Sequence, residues 1–381
     1  MAQIEKIRCV IMRGGTSKAI FLMENDLPID RKERDKTILK IFGSPDIRQI
    51  DGLGGAEPLT SKLAIIAPSS RSDADVDYTF GQVSINKVLI DFNGNCGNIS
   101  AAVGPFAIQE GLVKAESNHT TVRIHNTNTG KIITAEIPMI GREVAVIGEC
   151  VCDGVPGTGA KIVLDWSKTA GACTGKLLPT GNPTDVIDIP GFGMITISVV
   201  DAANPMVFVR ARDLHLVGTE TPQQIDNNPE LLKLLETIRG IAAEMIGLVK
   251  DPKDALSSSP AFPMIAIVSP PSDYVRFTTG EPVKSTDIDL TSRLMFMQVL
   301  HKAYSGTATI CTGVAARISG SIVHEMTNPE VKKVVRIGNP SGVIKIEVLT
   351  EQNGEKIELK KATISRTARR IMDGHVYITN N

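Results

Sequence analysis

Two stretches of this chain, Ile99 to Leu112 and Gly313 to Met326, have helical length but no polar face, because small or apolar residues fill most positions around the axis. A helix of that kind is unstable on a surface and has to be enclosed by other elements. Pro105 falls inside the first and is expected to kink or shorten it. The surroundings read as strand: Ile7 to Ile11, Val83 to Asp91, Met194 to Val200, Met264 to Ser269 and Val334 to Ile337 are short runs of β-branched and apolar residues between turn signals. Val343 to Leu349 and Lys356 to Leu359 flank Asn353-Gly354, a type I′ hairpin signal. The other helices are amphipathic. One is expected over Asp30 to Phe42, closed by Gly43, and a longer one begins at Asn228-Pro229 and repeats leucine and isoleucine at helical spacing through Ile246.

The two enclosed helices share an entrance. Asn93-Gly94-Asn95-Cys96-Gly97-Asn98 leads into the first, and Thr307 to Gly313, with Cys311 two residues before the glycine, leads into the second. The halves therefore read as diverged copies of one plan, an α+β domain of strands wrapped around a central helix. With 381 residues the chain exceeds one ordinary core. The Pro/Gly/Asp-rich stretch Pro179 to Asp188 is the expected boundary, giving domains 1–184 and 185–381, with room for the last strand to return to the first. Lys250 to Pro260 reads as a loop of the second half.

Composition removes whole classes of function. A formal net charge of -1 and 4% aromatic residues give neither the field nor the stacking surfaces that nucleic acid needs. The first thirteen residues lack a signal-peptide core, and no apolar run spans a bilayer, so the expected location is the cytoplasm, away from membranes. The six cysteines form no C-x-x-C pair and are expected as thiols. Cys9, Cys150, Cys152 and Cys173 read as small buried hydrophobes. Cys96, crowded by glycine and asparagine where a helix begins, reads as functional, because helix N–H groups favour a thiolate. Cys311, between Ile310 and Thr312, is open to either reading.

Two further stretches carry chemistry. Met12-Arg13-Gly14-Gly15-Thr16-Ser17-Lys18 packs two glycines, two hydroxyls and two cations into an anion site that lacks the spacing of a P-loop. Its bland alternative is a polar turn with solvated charges. Asp51-Gly52-Leu53-Gly54-Gly55 approaches Lys62, which runs straight into the apolar Leu63 to Ile66; an amine held in a dry region is a base near neutral pH. Otherwise Lys62 is a snorkelling surface residue. Gly157-Thr158-Gly159 is no dinucleotide fingerprint, the six histidines form no metal pattern, and no G-x-S-x-G elbow exists. Neither metal nor cofactor is expected. Arg366 to Arg370 reads as a solvated basic face.

Taken together, Met12 to Lys18, Asp51 to Gly55 with Lys62, Gly94-Asn95-Cys96-Gly97-Asn98 and Asp201-Ala202-Ala203-Asn204-Pro205 resemble the PrpF family over nearly the whole chain. That family contains methylaconitate, methylitaconate and oxalomesaconate isomerases. The resemblance implies the diaminopimelate-epimerase-like fold with its active site between two similar domains. It implies catalysis by Lys62 and Cys96, with Cys311 at the position of the second epimerase cysteine, although Thr312 stands where glycine usually follows. It implies that Asn204 helps hold substrate, and the charge that proton removal creates is expected to be held by Gly97, Asn98, Thr16 and Ser17, with Arg13 or Lys18 anchoring another carboxylate. The expected reaction is a cofactor-independent allylic 1,3-proton shift, (R)-2-methylitaconate to 2,3-dimethylmaleate first, 2-methylaconitate or oxalomesaconate next. A cysteine-dependent epimerase or racemase, or a non-catalytic carboxylate-binding protein, is the more distant alternative. The only expected partner is a small di- or tricarboxylate, and a homo-oligomer is compatible with the sequence.

Overall fold

A computed structural model describes residues 4–330, 333–353 and 356–379. The chain forms two compact units, residues 1–164 with 366–381, and residues 165–365. The stretch Pro179–Asp188, which ends in the strand Asp185–Ile189, thus lies inside the second unit, and the closing strand Ala368–Thr379 belongs to the first, where it pairs antiparallel with Ile4–Gly14.

In the first unit, Ile4–Gly14 turns at Gly15-Thr16 into the antiparallel Ser17–Met23, with Gly14 opposite Ser17. Lys62–Pro68 then lies parallel to Ser17–Met23, Val76–Val83 antiparallel to it, His119–Asn126 parallel to that, and Lys131–Ile140 antiparallel again. The second unit repeats the sequence of directions. Gly193–Ala202 pairs antiparallel with Asn204–Arg210, Met264–Ser269 follows parallel, Leu290–Phe296 antiparallel, Val334–Asn339 parallel and Gly342–Asn353 antiparallel. In each unit the connection from the second strand to the third carries a long outer helix, and the connection from the fourth to the fifth carries an inner one. Registers agree as well: Ala19 stands opposite Lys62 in the first unit and Met206 opposite Met264 in the second. The duplicated α+β plan expected from the enclosed helices is present.

The outer helices are the amphipathic ones. Arg31–Phe42 is capped by the Asp30 carboxylate, which accepts from Glu33 N, and closed by Gly43 at φ 67°. Its Ile38, Ile41 and Phe42 pack on Ile7, Ile20, Leu22, Leu63 and Ile65. Pro229–Met245, capped by Asn228, buries Leu231, Leu235, Ile238 and Ala242 against Ile197, Val199, Val207 and Ile265. The inner helices are Gly97–Gln109, buried throughout from Gly97 to Ile108, and Gly306–Ala315, buried at every residue. Pro105 does not end the first, since strands packed around the helix hold it together where one backbone bond is missing.

Three expectations need correction. The second inner helix runs over Gly306–Ala315, with a separate short helix at Ile322–Met326, because Ser305 caps it by accepting from Ala308 N. Cys311 therefore stands in mid-helix and not at an entrance. Val83–Asp91 is not one strand: a turn closed by Ser84 N to Leu89 O separates Val76–Val83 from the short Ile90–Asp91. Strands Gly342–Asn353 and Lys356–Arg366 pair as the hairpin signal implied, while Gly354 of that turn lies outside the described residues. Among the described residues, no helix is long and apolar enough to cross a membrane.

Candidate active site

The first unit brings three of the singled-out stretches together. Gly15-Thr16 turns directly over the start of the inner helix: a Cβ on Gly14 would overlap the carbonyl oxygen of Asn98, and one on Gly15 would overlap the Asn98 amide. Gly15 also holds φ 49°, which glycine adopts without strain. Close approach thus explains the paired glycines. Asn98 Nδ2 donates to Thr16 Oγ1 at 2.9 Å, tying turn to helix. Cys96 occupies the N-cap position with extended backbone and no side-chain capping bond. Asn95 Oδ1 accepts from Cys96 N at 2.6 Å, and Ser100 Oγ donates to the Cys96 carbonyl at 3.0 Å, so both backbone groups of Cys96 are fixed.

Lys62, only 3% exposed, begins the strand beside this entrance. Its Nζ donates to Gln82 Oε1 at 2.7 Å and lies 5.3 Å from the centroid of the Phe80 ring. Burial pushes the Lys62 ammonium below its ordinary value, and the charge of Cys96 acts on it in the opposite direction. Tyr78, on the same strand as Gln82, is pushed well above the usual phenol value by burial first and the charge of Cys96 second. The glycine-rich approach to Lys62 is organised by Gln49, whose Oε1 accepts from Ala56 N at 2.7 Å and from Ser61 Oγ at 2.6 Å.

The remaining residues of the hairpin divide into two kinds. Arg13 is a clamp: its NH1 reaches Gly15 O at 3.0 Å, Thr367 O at 2.9 Å and Thr367 Oγ1 at 3.0 Å, and Gly15 N donates to the same Thr367 carbonyl. Ser17 and Lys18 make no side-chain hydrogen bond or ion pair among the described residues. The Ser17 hydroxyl is buried with no hydrogen-bonding partner among the described residues, and Lys18 is half-buried. A buried hydroxyl in that condition is an anomaly that a ligand acceptor would relieve.

Arg366 was missed as a member of this group. It is 3% exposed, and its Nε donates to Asn98 Oδ1 at 3.0 Å, which fixes the Asn98 amide with its nitrogen toward Thr16. Burial lowers its pKa, while the charges of Cys152, Cys150 and Cys96 raise it. The solvated-face reading therefore fails at Arg366; it holds better for Arg370, whose guanidinium pairs with Glu110 and Asp373 near the surface. An arginine 268 positions from its partner leaves no trace in local spacing.

The second unit shows what became of the duplicate. Matching strand registers place Met264 where the first unit has Lys62 and Asn204 where it has Ser17, and the helix starts match the N-cap Ser305 to Cys96. Ser305 Oγ donates to Met264 Sδ at 3.8 Å, a pair without a base. Asn204, fully buried, donates through Nδ2 to Thr307 Oγ1 at 3.0 Å, the counterpart of the Asn98–Thr16 tie. Cys311 falls opposite Ala102 in this alignment. It is completely buried, its thiol lies 3.2 Å from the Val200 carbonyl, and burial pushes it far above the usual thiol range. The signal that could have exposed the mismatch is the Ser305-Gly306 pair, a serine cap and glycine in the pattern of Cys96-Gly97.

Residues 4–379 match the family model described as PrpF protein. The chain is 56% identical over 379 residues to the 3-methylitaconate isomerase of Eubacterium barkeri, covering 99% of this chain and 98% of that protein. It is 39% identical over 386 residues to the 2-methyl-aconitate isomerase of Shewanella oneidensis, covering 98% and 97%. A crystal structure of methylitaconate-delta-isomerase superposes with a TM-score of 0.80 at 56% identity, over 99% of this chain and 97% of the other.

Proposed function

The chain belongs to the PrpF family, and on that premise we propose that it is a cofactor-independent isomerase that moves the double bond of methylitaconate to give dimethylmaleate. The observation that carries the reading is the buried Lys62 amine beside Cys96 at a helix start. The proton of methylitaconate that must leave sits on a carbon next to one carboxylate and next to the double bond. Its removal spreads charge over that carboxylate and the methylene carbon through a dienolate. Returning a proton to the methylene carbon makes the new methyl group and shifts the double bond inward. One proton leaves and one arrives, so no redox partner is required.

Lys62 and Cys96 are the acid–base groups of this proposal. Whichever takes the proton, the other supplies the one returned, and transfer between them restores the starting state. The Gly97 and Asn98 amides at the helix start and the Ser17 hydroxyl are the donors for the developing charge, with Lys18 available for a second carboxylate. Thr16, Arg13 and Asn204 act through the hairpins and helix starts they fix, and Cys311 serves as core.

Lys18, half-buried beside Ser17, also favours a second reading, a tricarboxylate such as 2-methylaconitate, whose third carboxylate needs another cation. The two are separated by incubating the protein with each acid and following the absorbance of the conjugated product. Methylitaconate is expected to show the higher kcat/KM; turnover of neither acid overturns the substrate assignment.

A further inference from the structure

We propose that Gln82 positions Lys62 for proton transfer, its amide oxygen accepting from Nζ while its lack of charge leaves the amine free to take a proton. This rests on the reading of Lys62 as an acid–base group. The orientation of the Gln82 side chain is over-determined. It is 1% exposed, and its Nε2 donates to two backbone carbonyls, Pro58 and Ser61, each at 3.1 Å. Both N–H bonds are thereby used on the loop that leads into Lys62, and Oε1 is left facing the amine at 2.7 Å. A flipped amide would abandon both carbonyls and set N–H against N–H.

The consequence is that one short side chain couples three things: the approach loop through Pro58 and Ser61, its own strand through the Lys62–Gln82 register pair, and the amine itself. Lysine carries a long flexible stem, and an acceptor in a fixed place restricts its rotamer freedom. Charge matters as much as position. The groups acting on Lys62 include the Phe80 ring on the strand of Gln82 and the Cys96 thiol at the helix start, with Tyr78 on that same strand under the influence of Cys96. A carboxylate in place of the Gln82 amide would add a fixed anion at hydrogen-bonding distance and favour the ammonium. Glutamine supplies the same acceptor geometry without that penalty.

The test is the pH dependence of kcat/KM for methylitaconate in three variants of the full chain: Gln82→Glu, Gln82→Met and Lys62→Ala. Gln82→Glu is expected to move the acid limb about 1 to 3 pH units upward, with activity returning as pH rises. Gln82→Met, which removes the acceptor without adding charge, is expected to lower kcat about 10-fold or more with KM changed less, and to leave the acid limb in place. A purely structural role would alter thermal stability in both variants and shift neither the limb nor kcat. The proposal is overturned if Gln82→Glu, folded by circular dichroism, gives the parent profile, or if Gln82→Met keeps the parent kcat. Should Gln82→Glu not fold, the Gln82→Met result decides alone. Retained turnover in Lys62→Ala would instead overturn the acid–base reading of Lys62, which keeps the two failures distinct.

Discussion

Lys62→Met is expected to lower kcat about 10²- to 10⁴-fold while the protein becomes no less stable at neutral pH, the reverse of what removing a buried polar contact usually does. The rate loss follows from removing one of two acid–base groups. Stability follows from linkage. Burial lowers the Lys62 pKa below its ordinary 10.5, so between the folded value and 10.5 the unfolded chain binds a proton that the folded chain does not. Within that window stability rises with pH, and below it the folded protein carries a charge that burial disfavours. Methionine has a similar length and no charge, and removes this dependence. It leaves Gln82 Oε1 without a donor, a loss of about 1 to 3 kcal/mol that works against the gain. Thermal melts of parent and variant at several pH values check the claim: the parent should gain on the variant as pH approaches 10.5. A variant that stays active, or a difference independent of pH, contradicts it.

The second large effect separates two cysteines that resemble each other in sequence. Cys96→Ala is expected to lose about 10²-fold or more in kcat. Cys311→Ala should keep kcat within about a factor of three and instead lose about 1 kcal/mol of stability, as a small cavity in a packed helix interior does. The reason lies in position: Cys96 stands at the N-cap position of its helix, whereas Cys311 is the sixth residue of Gly306–Ala315 and matches Ala102 in the other unit. Steady-state kinetics with urea unfolding on both variants reads the contrast. Equal loss of kcat in the two would restore Cys311 as a reacting group.

That pair also shows how far the sequence could be read. Enclosed helices are legible because an apolar helix has only one kind of place to be, and the cap signals at Gly43 and Asn228 are local chemistry. The glycine and cysteine stretches around Gly14, Lys62 and Cys96 were legible for the same reason, since close backbone approach and burial leave marks in residue type. The register of the duplicate was not. Matching cysteine to cysteine put Cys311 at an entrance, while the helix start obeys the capping serine six residues earlier. Arg366 and Gln82 escaped notice because their partners are set by strand order and chain return, which no local pattern records.

Deuterium oxide gives the most direct measurement of the central claim, that a proton is moved across an allylic system by two groups. Methylitaconate turned over in deuterium oxide should give dimethylmaleate with one deuterium in the newly formed methyl group, because the returning proton comes from an acid that has exchanged with solvent. Product without deuterium in that methyl group, or recovered substrate labelled only at the carbon that lost its proton, would contradict it.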